Sequence, residues 1–399
     1  MKRFFVALVA ALSFLLLWLS PRDASAYPWM IREGYTGCAT CHADPSGAGL
    51  LTAYGRAQSA LLLSLPTKAQ EDGEAPKASE ALFGLLPEPE NFLYSLAYRG
   101  ALFATKTEGG PASARYIVMQ ADARAQVTFA ERFRVNASVG FVPSGGQLAA
   151  IVRDFPAQIV SREHWVGVDL GEERTVLLRA GRIAVPYGLR GNEHAMWIRT
   201  IPRVDLASHQ QHGVALSRSA EAYRTEIMAL LGNYQLAPDL YRERGYAGFF
   251  EHRLGDHSTL GVSSLLTHAQ GDIARSRRQP ILRHAHGLFA RHVLARPVVL
   301  MAEADVVARH PEGRDTEFGY VGLAQADLEL IRGVHLLPAF ELQKPRYDLG
   351  GAGLGAWLSA AFFPYSHVEL RADLVGRSLD SPAGRVANVT ALVHLHLYL

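Results

Sequence analysis

Cys38-Ala39-Thr40-Cys41-His42 contains the only two cysteines of the chain, two residues apart and followed at once by a histidine. Thiols at that spacing add to neighbouring vinyl groups on one edge of a porphyrin, and the adjoining imidazole reaches the iron. C-x-x-C-H is therefore the attachment chemistry of haem c. The expected roles follow: one haem, held covalently by Cys38 and Cys41, with His42 as its axial ligand. Three plainer chemistries use similar residues. A zinc site needs a second Cys or His pair, and none lies nearby. A thioredoxin-type redox pair sits in βαβ surroundings that the flanking sequence lacks. A structural disulfide is the remaining alternative. Met30 stands eight residues before Cys38, close enough to loop back as a distal ligand. His194 and His209 compete for that role, and ordinary packing beside Trp29 is the plain reading of Met30. Met/His ligation raises the potential relative to bis-His.

The elements that position this motif begin with an export signal. Lys2 and Arg3 precede an apolar run from Phe4 to Leu19, and Ala24-Ser25-Ala26 is a small-residue cleavage site. Residues 1–26 are thus expected to be removed, leaving Tyr27 first. Haem c is attached after export, so signal and motif support each other. Residues 27–66 are expected to form the haem segment: Asp44 to Gly49 is turn chemistry, and Leu50 to Leu62 has the apolar spacing of a short helix. About forty residues are too few to fold comfortably alone. Residues 67–91, polar and proline-bearing, are expected to be a linker.

The 399 residues carry a formal net charge of +2, which argues against nucleic acid as a partner. From Phe92 onward, period-2 alternation recurs between turn signals. Ile117, Met119, Ala121, Ala123, Ala125 and Val127 share one face, opposite Gln120, Asp122, Arg124 and Gln126. Val298, Leu300, Ala302, Ala304 and Val306 oppose Glu303 and Asp305, and Val368, Leu370, Ala372 and Leu374 oppose Glu369, Arg371 and Asp373. Charges standing regularly on one face suit a polar lumen with the apolar face toward lipid. About 16 strands, many about ten residues long, fit a transmembrane antiparallel β-barrel over residues 92–399. The alternation runs to the C-terminus through Val393, Leu395, Leu397 and Leu399, as a barrel-closing strand does. The fold expected is therefore mainly β: a barrel with a small N-terminal α-helical monohaem cytochrome segment.

Tyr35-Thr36-Gly37-Cys38-Ala39-Thr40-Cys41-His42, followed by Leu51-Thr52-Ala53-Tyr54-Gly55-Arg56, resembles the head of the fused monohaem cytochrome–porins. That family belongs to the outer membrane of iron-oxidising bacteria and their relatives. The resemblance covers about thirty residues; Thr52 and Tyr54 stand where the family has Asn and Phe, and the Asp44–Gly49 insert is glycine-rich. It implies electron transfer across the Gram-negative outer membrane, from an extracellular donor such as Fe(II) to a periplasmic carrier such as a soluble c-type cytochrome. The other partners expected are outer-membrane lipid and the barrel-assembly machinery. The rival function is a diffusion porin or transporter with a haem plug or redox sensor; a periplasmic cytochrome docked on an unrelated β-domain is a third.

Two further features bear on the lumen. The connection from Ile183 to Gln211 is long enough to be functional, and by strand count it joins strands five and six, where porins fold a loop inward. It also resembles, over Gly181 to Arg190, a barrel element of cytochrome-associated porins. His284/His286 and His394/His396 each place two imidazoles on one strand face, a spacing open to metal binding but more ordinary as polar lumen lining. No P-loop, H-E-x-x-H or G-x-S-x-G is present. If a single haem is to act across the membrane, the haem segment must lie inside the barrel, against inward residues such as Arg124, Glu303, Asp305 and Arg371, with Ser46 buried there.

Overall fold

The computed structural model describes residues 27–47, 49–66, 89, 91–141, 159–191, 193, 195–206, 208–236, 239–273, 277–344, 351–381 and 384–398. The export signal, all but a few residues of the linker, Ala48, His194 and Leu399 lie outside the described residues.

Alternation dominates the rest of the chain, and its consequence is one closed sheet. The strands are β1 (Phe92–Thr107), β2 (Ala112–Phe129), β3 (Phe133–Phe141), β4 in two pieces (Ile159–Val160 and His164–Leu170), β5 (Val176–Ile183), β6 (Gln211–Ser219), β7 (Tyr223–Gly232) and β8 (Arg244–Arg253). They continue as β9 (Ser258–Ala269), β10 (Ile281–Ala295), β11 (Val298–Pro311), β12 (Glu317–Ile331), β13 (Val334–Lys344), β14 (Gly353–Tyr365), β15 (Val368–Ser381) and β16 (Gly384–Tyr398). Both pieces of β4 pair with β3, so the described strands number sixteen. Each pairs antiparallel with its sequence neighbours, and β16 closes on β1 from Ala97↔Tyr398 to Thr107↔Asn388. Closure removes the sheet edge, which lipid cannot satisfy.

The expected faces hold over most of the wall. Leu300, Val306, Leu370 and Leu374 are exposed on the outside, whereas Glu303, Asp305, Glu369, Arg371 and Asp373 are buried in the lumen. Aromatic side chains gather toward both rims, with Phe129, Phe133, Phe250 and Tyr365 at one end and Tyr246, Phe318 and Phe340 toward the other, as in membrane-spanning barrels. Connections at the Phe129/Tyr365 end are tight, such as Ala295 to Val298 and Ile331 to Val334; the long ones, including Ile183 to Gln211, lie opposite.

Two face assignments are corrected. In β2, Ile117 and Met119 were expected on the apolar outer face with Ala121, but a bulge where Arg99↔Gln120 gives way to Gly100↔Val118 turns the strand, so Ile117 pairs with buried Ala101 and Met119 lines the lumen beside Arg99 and Trp357. The histidine pairs divide as well. His394 and His396 line the lumen, bonded to Asp373 (2.5 Å) and Glu369 (3.0 Å). His284 and His286 do not: they alternate with buried Arg283 and Ala285, so they stand on the outer face near the long-loop rim. Periodicity separates the two faces of a strand but not which faces inward when neither is strongly apolar.

Two irregular segments fill the lumen. Residues 27–66 enter at the tight-turn end. Their 3-10 helix Pro28–Glu33, with Pro at its first turn, buries Trp29, Met30 and Ile31 against Leu63, Val299, Leu337 and Phe363. The connection between β5 and β6 folds in from the opposite end. Its Val185, Tyr187, Met196, Trp197 and Ile198 form a second apolar cluster with Trp165, Trp357 and Val375 of the wall.

Candidate haem site

The C-x-x-C-H residues lie on one tight turn. Cys38–Thr40 is a 3-10 turn in which the N–H groups of Cys41 and His42 donate to the Cys38 carbonyl at 3.2 and 2.9 Å. The chain then doubles back. Ala43 N–H donates to Leu50 O and Thr52 N–H to Cys41 O, both at 2.9 Å, which closes a small hairpin over the Asp44–Gly49 turn. Asp44 Oδ1 accepts from Ser46 N–H at 2.6 Å, the Asx bond that such turns use. Gly47, at φ +81°, is needed there: a Cβ would stand 3.0 Å from Cys38 Sγ.

The expected helix after the turn begins three residues later than its leucine spacing suggests and widens at its end. Thr52 caps Ala53–Gln58, its Oγ1 accepting from Gly55 N–H at 3.0 Å, and the chain continues as a π-helical turn over Ser59–Leu63. Gly55 packs directly on the Cys41 carbonyl, where any Cβ would collide. The two cysteines are not joined in a disulfide.

The barrel wall holds this segment mainly through arginines. Arg179 Nη1 meets Asp44 Oδ1 at 2.7 Å, Arg224 Nη1 donates to Cys38 Sγ at 3.0 Å, and Arg291 Nη2 donates to Thr36 O at 2.8 Å. Arg190 of the inward loop donates to Ser46 O at 2.7 Å. Arg56, from the segment, donates to Tyr94 O at 3.1 Å, and Arg32 pairs with Asp327 and with Glu329 (3.0 Å). Burial pushes the Asp44 carboxyl up, but Arg179 and the Ser46 bonds outweigh it and hold it below the usual carboxylate range.

Cys38 faces a cleft with Tyr27, Thr36, Gly37, Gly47, Arg190, Arg224 and Arg291. Beside it, Tyr35, Gly37, Thr40, Arg218, Tyr223 and Arg224 line a cavity of about 360 Å³. Three features of this environment suit haem c, while Cys41 is 1% exposed and neither it nor His42 lines these two spaces. The donors are two thiols outside any disulfide and an imidazole, all on one turn. The space beside Gly37 is open, since a Cβ there would meet nothing within 4 Å. The neighbouring guanidinium groups complement the carboxylates that a haem carries.

The other candidate ligands are dispersed. Met30 is 2% exposed within the apolar cluster of Leu63, Val299 and Phe363. His209 lies at the far end of the inward loop, its N–H donating to Asp205 O at 3.0 Å. Burial and the nearby Arg203 hold its imidazole down at about 4, neutral at pH 7. Of the four lumen residues expected to meet the N-terminal segment, Arg124 does so, closing on Gly49. The other three meet the inward loop instead. Glu303 accepts from Leu189 N–H (2.7 Å) and Arg199 (2.6 Å), Tyr187 approaches Asp305, and Arg371 pairs with Glu193 at 2.6 Å. Ser46 is fully buried. Arg179, Arg224 and Arg291 were not singled out by the sequence; each reads there as one more charge in a polar position, and Arg190 stood out there only as part of the long connection. Among the described residues no three His, Cys, Asp or Glu side chains converge as a metal cluster.

No family model and no curated protein matches the chain. Among solved structures it is similar to the outer membrane channel DcaP of Acinetobacter baumannii, at TM-score 0.58 and 9% identity over 79% of this chain and 99% of that one. It is similar also to OmpT of Vibrio cholerae, at 0.57 and 9% over 79% and 100%, and to the anion-selective porin of Comamonas acidovorans, at 0.57 and 9% over 77% and 99%. At such identities the likeness is one of architecture: the chain has the porin fold.

Proposed function

We propose that this protein is a porin-type channel of the bacterial outer membrane whose lumen is closed by its own N-terminal segment, with haem c carried on Cys38, Cys41 and His42. The observation that carries this reading is the position of residues 27–66, inside the barrel wall at its tight-turn end, with Cys38 facing a cleft. Porin-fold neighbours support the outer-membrane location. Tight turns face the periplasm in such barrels, so the haem turn looks toward a periplasmic carrier such as a soluble cytochrome.

Bound there, haem c supplies a one-electron Fe(III)/Fe(II) couple. The chain's own residues do the rest. Cys38 and Cys41 anchor, His42 ligates, and Arg190, Arg224 and Arg291 offer donors to the haem carboxylates. Trp29, Met30 and Leu63 dock the segment against the wall. With haem bound there, the guanidinium groups that hold the segment would stand beside a centre whose charge changes on reduction, which would suit a redox-responsive plug. Electron transfer across the membrane, with Fe(II) as the donor implied by the sequence resemblance, is the second reading, favoured by the segment's lying within the lumen. The inward loop stands between the haem turn and the outer rim and weighs against it.

A pyridine-haemochrome spectrum of Cys38→Ala/Cys41→Ala should lose the c-type band; a retained band would overturn the cofactor. Reduction of the haem by an impermeant external donor in intact cells tests the conduit, and no reduction removes it in favour of the plug.

A further inference from the structure

We propose that the outer wall of the barrel carries, at its long-loop rim over β4 to β8, a docking site for the phosphate groups of the outer-leaflet glycolipid. The inference rests on the outer-membrane placement proposed above. It is independent of the haem turn, which lies at the other end of the barrel. Long loops face the cell exterior in such barrels, so this rim meets the leaflet whose lipid is phosphorylated.

Register builds the site. His164, Arg182 and His212 stand directly opposite one another on β4, β5 and β6, hence on one face of the sheet. That face is the outer one, because Val166, Leu178 and Val214 continue it down the wall and are exposed. The apolar band therefore ends at three nitrogen-bearing side chains. The His164 and His212 rings meet across the intervening strand with centroids 5.2 Å apart, and Arg182 on that strand is 1% exposed. Tyr234 packs edge-on against His212 at 4.9 Å, and the Arg242 guanidinium lies 5.2 Å from the Tyr234 ring. Rings at headgroup depth are ordinary girdle. The cations among them are not.

Charge sets this patch apart from the lumen. There Arg162 meets Asp122 at 2.9 Å and Arg283 meets Glu243 at 2.8 Å. Arg182 donates instead to three neutral oxygens: Arg162 O at 3.0 Å, Gln210 Oε1 at 3.5 Å and Asn233 Oδ1. Arg242 donates to Leu236 O at 3.2 Å, and Arg244 is exposed at the start of β8 opposite His268. The connection that carries Arg242 contributes one exposed acid among the described residues, Asp239. Its other acid, Glu243, is taken by Arg203 and Arg283. His212 adds a fixed donor. Its Nδ1 accepts the Tyr234 N–H at 3.1 Å, so the ring proton sits on Nε2. Guanidinium and imidazole N–H groups form charge-assisted bonds to phosphate.

The position selects a lipid over a soluble anion. A glycolipid lays its acyl chains along Val166, Leu178 and Val214 while its phosphates reach the cations above; a free phosphate gains only the second contact. At the same rim over β15 and β16, Arg385 stands 3.7 Å from Asp380, so its charge is already answered.

The test is native mass spectrometry of the purified full-length protein in uncharged detergent, titrated with diphosphoryl lipid A. The expected result is retained glycolipid, with affinity falling as salt rises. Arg242→Ala and Arg244→Ala should each weaken binding about 5-fold and together about 25-fold. His212→Phe keeps a ring but removes the donor and should weaken it about 5-fold. Arg385→Ala should change nothing, and retention of the heat-resistant barrel on gels confirms folding throughout. The proposal is overturned if dephosphorylated lipid A binds equally well, or if the Arg242→Ala/Arg244→Ala variant binds like the native protein. Arg385→Ala weakening binding as much would also sink it, as would displacement of the lipid by an equal concentration of pyrophosphate. Recovery of the protein in the inner membrane would remove the placement, whereas unaltered binding in the variants would remove the site, so the two failures are distinct.

Discussion

The N-terminal segment and the inward loop occupy the same lumen, and the barrel grips them by overlapping but unequal means. The segment is held chiefly by guanidinium groups, several of them donating to its backbone carbonyls: Arg291 and Arg332 of the barrel to Thr36 O and Ser64 O, and Arg190 of the loop itself to Ser46 O. The loop is held by carboxylates that accept from its N–H groups, Glu303 from Leu189 and Glu341 from Trp197, at 2.7 and 2.5 Å. Irregular backbone at membrane depth must find all its partners in protein. Wall arginines donate to carbonyls of both fillings, in the loop Arg283 to Pro202 O and Arg377 to Ala195 O, both at 2.6 Å; for the loop, wall carboxylates accept backbone N–H groups as well. The cationic end is the one that suits a cofactor bearing carboxylates. The acidic end is already neutralised by Arg199, Arg371 and Arg377, which suits a fixed constriction.

The largest effect should come from removing one partner of this pair of fillings. Deleting residues 27–66 should raise single-channel conductance in planar bilayers several-fold, because the tight-turn end then stands open. Shortening the loop alone should raise it less. Equal conductance for the intact and deleted proteins would mean that the loop by itself closes the lumen.

Arg179→Ala attacks the grip on the segment directly, since it strands Asp44 and Glu226 as buried acids. Losing one side of a buried pair costs about 3–5 kcal/mol, and the expected readout is protease cleavage within residues 27–66 of the folded barrel. The pH dependence has a definite sign. The Asp44 carboxyl is depressed in the folded state, so its contribution is complete above the unfolded value of about 3.9 and is lost as pH falls through the lower folded value. Protection of the segment should therefore persist at pH 5 and fail only in stronger acid. Failure already between pH 6 and 5 would show that another group controls docking.

Gly188→Ala probes the loop's grip. Gly188 has φ +59°, and a Cβ there would collide with the Glu303 carboxylate. Strain and a displaced Glu303 should cost about 1–3 kcal/mol, visible as a lower unfolding temperature with the segment still protected from protease. Simultaneous loss of that protection would show that the two fillings are one cooperative unit.

Met30→Leu should have the smallest effect on stability, below about 1.5 kcal/mol, because it conserves volume in a packed cluster. It also sharpens the ligand question. Loss of a near-infrared Met–iron band on this substitution would make Met30 the distal ligand, and an unchanged spectrum would leave it as packing.

Sequence alone determined the wall. A strand's side chains alternate by geometry, so Leu300/Glu303 and Leu370/Arg371 declare their faces without any knowledge of neighbours. Strand count then placed the Ile183–Gln211 connection between strands five and six. The C-A-T-C-H motif was equally legible, since its chemistry depends on residues adjacent in the chain. Tertiary structure decided everything that depends on residues far apart in sequence. Arg179, Arg224 and Arg291 are ordinary lumen charges until the barrel closes around Asp44, Cys38 and Thr36. Glu303, Asp305 and Arg371 were expected beside the N-terminal segment but serve the loop, because a charged position in a lumen declares its face and not its partner. The orientation of His284 and His286 was undecidable for a related reason. A strand end near the rim has no strongly apolar side, and only its register against β9 and β11 turns those imidazoles outward.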